Sequence, residues 1–318
     1  MRVLVTGGAG FIGSNLVDAL VARGDDVAVV DDLSTGSREN LAGALAAGAR
    51  LHVCDVVDRP ALDALFARER PRLVFHLAAQ IDVRRSVADP AADARVNVEG
   101  TVNVLEAARA AGAGRVVLSS TGGALYGEAE RVPTPEEAPI RPLSPYGHAK
   151  HCAEGYGRLL GELHGLSFTA LRYANVYGPR QDPLGEGGVI AIFCGKAATG
   201  GTPTVYGDGL QTRDYVYVGD VVEANLLAAA SERVGCFNVG TGVETSVLEL
   251  IEAVRGFAAD GASFEPRFEP AREGEVLRSC LDVSAIGDQL GWRARVDLVE
   301  GLRRTFASVA VQDLSSSA

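Results

Sequence analysis

The chain has 318 residues, 47% of them hydrophobic and 22% charged, with a net charge of −11. That length supports a large core in two lobes, and the composition is that of a soluble globular protein. The acidic balance excludes nucleic acid as the main partner, because a phosphate backbone needs a basic face; no apolar run is long enough to span a membrane. The five cysteines (Cys54, Cys152, Cys194, Cys236 and Cys280) are scattered and form no C-x-x-C. They read as free thiols of a reducing cytoplasm, and the first residues run straight into a strand without the pattern of a signal peptide.

The predicted elements alternate from the start. Candidate strands are Arg2–Val5, Val27–Val30, Leu51–Val53, Leu73–Phe75, Val116–Leu118 and Phe168–Leu171, separated by Ala- and Leu-rich helical stretches such as Phe11–Arg23 and Asn97–Ala111. Strand–helix alternation with right-handed crossovers gives an α/β fold, a Rossmann-like doubly wound parallel sheet. After about Asn175 the rhythm breaks into Gly- and Pro-rich segments, Gly178-Pro179, Gly185–Gly188 and Gly200–Pro203. The expected division is therefore a first lobe over 1–174, with 217–240 returning to it, and a smaller mixed C-terminal lobe made of 175–216 and 241–318.

The turn after the first strand carries chemistry. Gly7, Gly10 and Gly13 are spaced G-x-x-G-x-x-G between a strand and a helix. The first glycine permits a tight turn, the second lets backbone approach a pyrophosphate, and the third lets helix and strand pack closely; the helix N-terminus then faces the phosphates. A plain tight turn is the alternative, but Asp31 ends the second strand at the spacing of a ribose-binding acid. A carboxylate there repels a 2′-phosphate, so the expected cofactor is NAD rather than NADP. Asp32 and Arg38 read as solvated. Asp55 suits the adenine amino group or, equally, a helix N-cap beside Asp58.

A second constellation is Tyr146 with Lys150, in Ser144-Pro145-Tyr146-Gly147-His148-Ala149-Lys150. At i and i+4 they share one helix face. An ammonium beside a phenol is expected to pull its pKa from about 10 toward neutrality. That makes a base for the proton of an alcohol as hydride leaves for NAD.

Together the segments TGGAGFIG (6–13), HLAA (76–79), NVEGT (97–101), SSTGGALYG (119–127), SPYGHAK (144–150) and LRYANVYGP (171–179) resemble the extended short-chain dehydrogenase/reductases, and within them the UDP-glucose 4-epimerase family. The resemblance spans nearly the whole chain. It implies that the first lobe binds NAD and the second the nucleotide-sugar. For NAD it implies, besides the residues above, Phe11, Ile12, Val56, Phe75, Ala78, Ala79, Gln80, Asn97, Ser119 and Tyr173. For a UDP-sugar it implies Gln80, Val83, Tyr146 and Asn175, then Val189, Val205 and Tyr206, with Arg213, Arg272 and Glu275 on the diphosphate and ribose. The two arginines suit phosphate forks. Four residues after Glu275, Ser279 would sit beside the sugar's C2 substituent, and its small size predicts tolerance of 2-N-acetyl sugars. No metal is implied. The family commonly pairs through the helices here read as Asp93–Ala111 and Tyr146–His164, so a homodimer is expected.

One position departs from the pattern. Most of the family has Ser or Thr four residues before the tyrosine of its Y-G motif; here that place, counted from Tyr126, is Gly122. Either a local bulge brings Thr121 to the sugar 4-oxygen, which is preferred, or Tyr146 works without a hydroxyl partner. A dehydratase needs an acid and a base next to that hydroxyl, and Gly122 and Gly123 transfer no proton, so the expected reaction is 4-epimerisation through a 4-keto sugar. Other nucleotide-sugar enzymes of the family (a glucuronate 4-epimerase, decarboxylase or dehydratase) and a non-catalytic NAD sensor are the alternatives. Tyr146 and Lys150 speak against the sensor, and Arg84 and Arg85, the pair that would suit a glucuronate, read as solvated.

Overall fold

β-branched residues crowd poorly on a helix but pack well on a pleated surface, and each Val-rich run of the first half becomes a strand of one sheet. The computed structural model describes residues 1–182, 188–258, 264–272 and 276–316. Its strands are β1 (Arg2–Thr6), β2 (Asp26–Asp31), β3 (Arg50–Val53), β4 (Leu73–His76), β5 (Arg115–Thr121), β6 (Ser167–Tyr173) and β7 (Gly235–Val239). They lie in the order β3-β2-β1-β4-β5-β6-β7, and every neighbour is parallel. The chain reverses direction across the sheet between β1 and β4, the switch point at whose carboxyl edge such folds bind ligands.

Helices α1 (Phe11–Ala22), α2 (Arg59–Glu69), α3 (Gly100–Ala110), α4 (Pro145–His164) and α5 (Val218–Ala230) flank the sheet. Successive strand residues face opposite sides. Val3, Val5, Val27 and Val29 pack with Leu16, Val17 and Leu20 of α1 and Val221 and Val222 of α5, while Leu4, Val30, Val74 and Val116 pack with Leu62 and Phe66 of α2 and Val104 and Leu105 of α3. Each such side chain contributes roughly 1.5–3 kcal/mol on burial. Sheet residues fully covered on both faces explain why the strands read as continuous apolar runs.

Helix α4 has clear boundaries. Ser144 caps it by accepting from the Gly147 amide at 3.2 Å, Pro145 opens the first turn, and Gly165 ends it at φ 72°. The expected helix over Asn97–Ala111 begins earlier: Pro90–Ala94 is helical and joins α3 through a π-helical segment, Arg95–Glu99.

Beyond β6 the strands are short. Asn175–Tyr177 pairs with Tyr215–Tyr217, Thr204–Tyr206 with Arg267–Glu269, and Thr212–Arg213 with both Thr245–Ser246 and Arg278–Ser279. They surround a second core of Ile190, Phe193, Val205, Leu250, Ile251, Phe264 and Leu302. The segment 235–239 returns to the first sheet as β7, hydrogen-bonded to β6.

A buried ion pair joins α4 to β6. Glu154 and Arg172, with side chains 4% and 6% exposed, meet at 2.7 Å. Removing one partner strands a buried charge. Arg172→Met is expected to cost about 3–5 kcal/mol, read as a lower urea midpoint, and adding Glu154→Leu is expected to recover most of it.

Candidate functional site

The β1–α1 turn is built as expected. Gly7 has φ +69°, and a Cβ on it would lie 2.5 Å from the Ala78 amide nitrogen; one on Gly13 would lie 2.1 Å from the Gly7 carbonyl oxygen. These two glycines are needed by the protein's own packing. Gly10 differs: a Cβ there would meet only the Gly7 oxygen, at 3.4 Å, so the space it keeps open lies at the N-terminus of α1. Phe11 and Ile12 follow, half-buried.

Asp31, 7% exposed, is knitted to this turn: Oδ2 accepts from the Ala9 amide and Oδ1 from the Leu33 amide, both at 2.9 Å. Burial pushes its carboxyl up, and the two amide bonds oppose that. Each oxygen keeps acceptor capacity for a hydroxyl. Asp32 is exposed and accepts from the Ser34 amide and hydroxyl, and Arg38 is exposed, in line with the solvated readings. At Asp55 the alternatives resolve in one respect. Asp58 is the cap of α2, accepting from the Ala61 amide at 3.2 Å, while Asp55 accepts from the Val57 amide and stays exposed. An open backbone at a helix N-terminus beside a ribose-suited carboxylate fits a dinucleotide.

Three residues expected to line the site have buried side chains. Phe75 is 0% exposed and Val205 1% exposed; both side chains belong to the hydrophobic cores beneath, where an aromatic ring on β4 and a valine in a paired strand are drawn by apolar burial. Val56 is likewise turned inward, against Gly100. Ala78, Ala79 and Gln80 follow β4 half-buried. Asn97, buried in the π-helical segment, exchanges hydrogen bonds with the Gln80 backbone at 3.0 and 2.9 Å, and Val83 is exposed.

Tyr146 is half-buried on the second residue of α4, and its amide donates to Ser86 Oγ at 3.2 Å. Burial and the nearby Asp93 carboxylate push its phenol up to about 12, and the Thr121 hydroxyl works against them. The expected lowering by Lys150 does not appear among the influences on the phenol, where burial comes first. Lys150, 4% exposed, is lowered to about 8 by burial, opposed by Asp93 and Glu154, and donates to the Ser119 carbonyl at 3.0 Å. Tyr173 on β6 is buried and bonds Asn225 at 3.0 Å.

Thr121 ends β5 without the expected bulge. The β5–β6 register runs unbroken through Thr121 and Tyr173, and the Gly122 amide continues it to the Tyr173 carbonyl at 2.7 Å. A Cβ on Gly122 would come within 2.4 Å of Leu281 Cδ1, whereas one on Gly123 would stand 3.7 Å from Asn175 Oδ1 and 4.0 Å from Ser279 Oγ.

Beneath the site His76 is wholly buried between Thr6 and Thr101. Thr101 donates to the Asn97 carbonyl at 2.6 Å, so its oxygen accepts from His76 Nε2–H, and Nδ1 accepts from the Thr6 hydroxyl at 2.7 Å. Burial and the Lys150 charge depress its pKa to about 3. It is a neutral structural link.

The expected sugar-nucleotide residues gather along the second lobe. Arg213 and Ser279 are register partners, Asn175 lies opposite Tyr215, and the Arg272 guanidinium sits 3.8 Å over the Tyr206 ring. Val189 opens the helix Val189–Thr199. Glu275 lies outside the described residues. Sequence reasoning missed Asp93, Glu154 and Arg172; for Glu154 a signal existed, since it extends the Tyr146, Lys150 spacing by one more turn of α4.

A profile of the NAD dependent epimerase/dehydratase family matches residues 3–240. The chain belongs to that family. It is 50% identical over 307 residues to a UDP-glucose 4-epimerase of Mycolicibacterium smegmatis, covering 96% of this chain and 97% of the relative. It superposes with a TM-score of 0.94 on the Thermotoga maritima UDP-glucose 4-epimerase crystallised with UDP-glucose, at 45% identity and covering 98% of this chain and 99% of the other. The Thermus thermophilus UDP-glucose 4-epimerase crystallised with NAD gives 0.89 at 44% identity, covering 97% and 99%. Like the family at large, the chain depends on NAD.

Because Gly13 is held against the Gly7 carbonyl, Gly13→Ala is expected to displace the turn and strip bound NAD from the purified epimerase/dehydratase-family protein. The ratio of absorbance at 260 and 280 nm checks this.

Proposed function

We propose that this chain is an NAD-dependent nucleotide-sugar 4-epimerase that interconverts UDP-glucose and UDP-galactose through a 4-keto sugar. The observation that carries the reading is the Thr121–Tyr146–Lys150 constellation over a dinucleotide turn, in a chain half identical to a UDP-glucose 4-epimerase over 96% of its length. Bound NAD would supply the acceptor and donor of hydride. Gly7, Gly10 and Gly13 would cradle its pyrophosphate and Asp31 its adenosine ribose.

Tyr146 takes the proton of the sugar 4-hydroxyl and returns it, while Thr121 steadies the oxygen and Lys150 keeps positive charge beside the phenol. The phenol, raised by burial, needs that charge, and a bound oxidised nicotinamide ring would add another. Asn175, Arg213, Arg272 and Tyr206 would hold the nucleotide end, so the sugar turns while its diphosphate stays fixed. Gly122 and Gly123 offer neither acid nor base for removing water from C5 and C6, which disfavours a dehydratase. Beside Gly123, the small Ser279 leaves room for a 2-N-acetyl group.

We further propose a homodimer in the cytoplasm, serving galactose metabolism. Its support is an apolar stripe on α4, where Tyr156, Leu159 and Leu163 are 44%, 47% and 63% exposed on one helix face. Val98 and Val102, half-buried, continue it on the neighbouring helix. All five cysteines are free, and among the described residues no helix is long and apolar enough to cross a membrane.

Purified protein without added NAD is expected to equilibrate UDP-glucose with UDP-galactose, and the corresponding N-acetyl pair, followed by NMR. Tyr146→Phe is expected to lower turnover by about 10²–10⁴-fold. A 4-keto-6-deoxy product or net NADH release would overturn the epimerase reading. Light scattering at micromolar protein is expected to give twice the chain mass of 33.1 kDa, and Leu159→Glu to halve it.

A further inference from the structure

Asp93 is a buried carboxylate that the reaction scheme leaves unused. It is 1% exposed on the helix Pro90–Ala94, which packs directly on α4. Oδ1 accepts from Gln80 Nε2 and Asn97 Nδ2, both at 2.9 Å, while Oδ2 is buried with no hydrogen-bond partner. Among the described residues Asp93 takes part in no ion pair. A charge in that position is costly unless something nearby answers it. Its electrostatic partners are the two groups that do the proton chemistry, Tyr146 and Lys150.

The other groups facing this pair do not substitute for it. Glu154, one turn further along α4, is matched at 2.7 Å by Arg172. His76, from β4, is neutral and bonded on both ring nitrogens. From β5 come the Ser119 carbonyl, which accepts from Lys150, and the Thr121 hydroxyl; from β6 comes the Tyr173 phenol, bonded to Asn225. Asp93 is the carboxylate near the pair whose charge no cation in contact answers.

We propose that Asp93 is a positioning residue of the epimerase: its carboxylate is the counter-charge to Lys150 and sets the pH range over which Tyr146 and Lys150 work. Negative charge disfavours deprotonation of any neighbour. It therefore holds Lys150 protonated against burial, and at the same time makes the phenol harder to ionise. The two limbs of the activity profile belong to the coupled pair rather than to one residue each. Removing the charge lowers the pKa of both groups, so both limbs move the same way whichever group dominates each.

The inference rests on Tyr146 and Lys150 being the proton-transferring pair, and the experiment separates the two claims. Asp93→Asn keeps an acceptor for Gln80 and Asn97 and deletes only the charge; Asp93→Ser does the same job if the asparagine variant does not fold. The dependence of kcat on pH is measured for the NAD-bound enzyme with UDP-glucose, alongside its melting temperature and Tyr146→Phe. The expected result is a profile displaced as a whole to lower pH. A profile that loses height but keeps its limbs in place would show a purely structural Asp93 and overturn the inference. An active Tyr146→Phe enzyme would instead overturn the assignment of the base. An inactive one with an unmoved Asp93→Asn profile overturns the role of Asp93 alone.

Discussion

The active site depends on one buried ion pair. Glu154 and Arg172 are both removed from water, a cost that attraction alone seldom covers, and here it is offset by saturation with hydrogen bonds. The carboxylate accepts from Ser120 Oγ at 2.6 Å as well as from two guanidinium nitrogens. The guanidinium also donates to the Tyr126 hydroxyl and the Glu136 carbonyl, and Tyr126 donates onward to Asn238 on β7. Asn238 in turn bonds the Thr134 and Asp282 carbonyls. The pair thus ties α4, the β5 strand end, β6, β7 and the second lobe at one point. Since Tyr146, Lys150 and Glu154 occupy one face of α4, fixing Glu154 fixes the rotation of the helix that carries Tyr146 and Lys150.

The same logic governs the second lobe. Asp214, 1% exposed beside Arg213, accepts from the amides of Thr241, Gly242 and Leu281 and from the Thr241 hydroxyl. A buried carboxylate saturated in this way locks the loop after β7 and the strand before Leu281 onto the Thr212–Tyr215 segment. Arg213 and Ser279 are then register partners on a rigid ribbon rather than residues of two independent loops.

How much of this was legible follows from which forces sequence encodes locally. The glycine turn, Asp31 and the seven parallel strands are set by backbone sterics and periodicity, and both survive in a short window of sequence. The helix over Tyr146–His164 is legible for the same reason. Burial is not local. It turned Phe75, Val56 and Val205 into core side chains, and it reversed the expected lowering of the Tyr146 phenol, because desolvation depends on what covers the ring. Asp93 was invisible for a related reason: in Pro-Ala-Ala-Asp it looks like a solvated helix residue, and only the π-helical turn that follows, with Asn97 and Gln80, draws it inside.

Gly122 shows how a departure from a pattern can be a consequence of packing. The β5 strand stays in register to its end, so the residue after Thr121 passes beneath Leu281, and a side chain there would press on the leucine's methyl groups. A side chain at position 122 would require Leu281 to shift. The strand's last side chain, Thr121, is the next available hydroxyl, and it acts on the Tyr146 phenol carried by the first turn of α4. With the hydroxyl moved back one residue, Gly123 faces Asn175 and Ser279 with no side chain of its own. The place where a related enzyme would need a proton-transferring group is then empty of one. The packing that relocates the hydroxyl therefore also narrows the chemistry, leaving the reversible transfer of one hydride and one proton at a single carbon as the reaction these residues can complete.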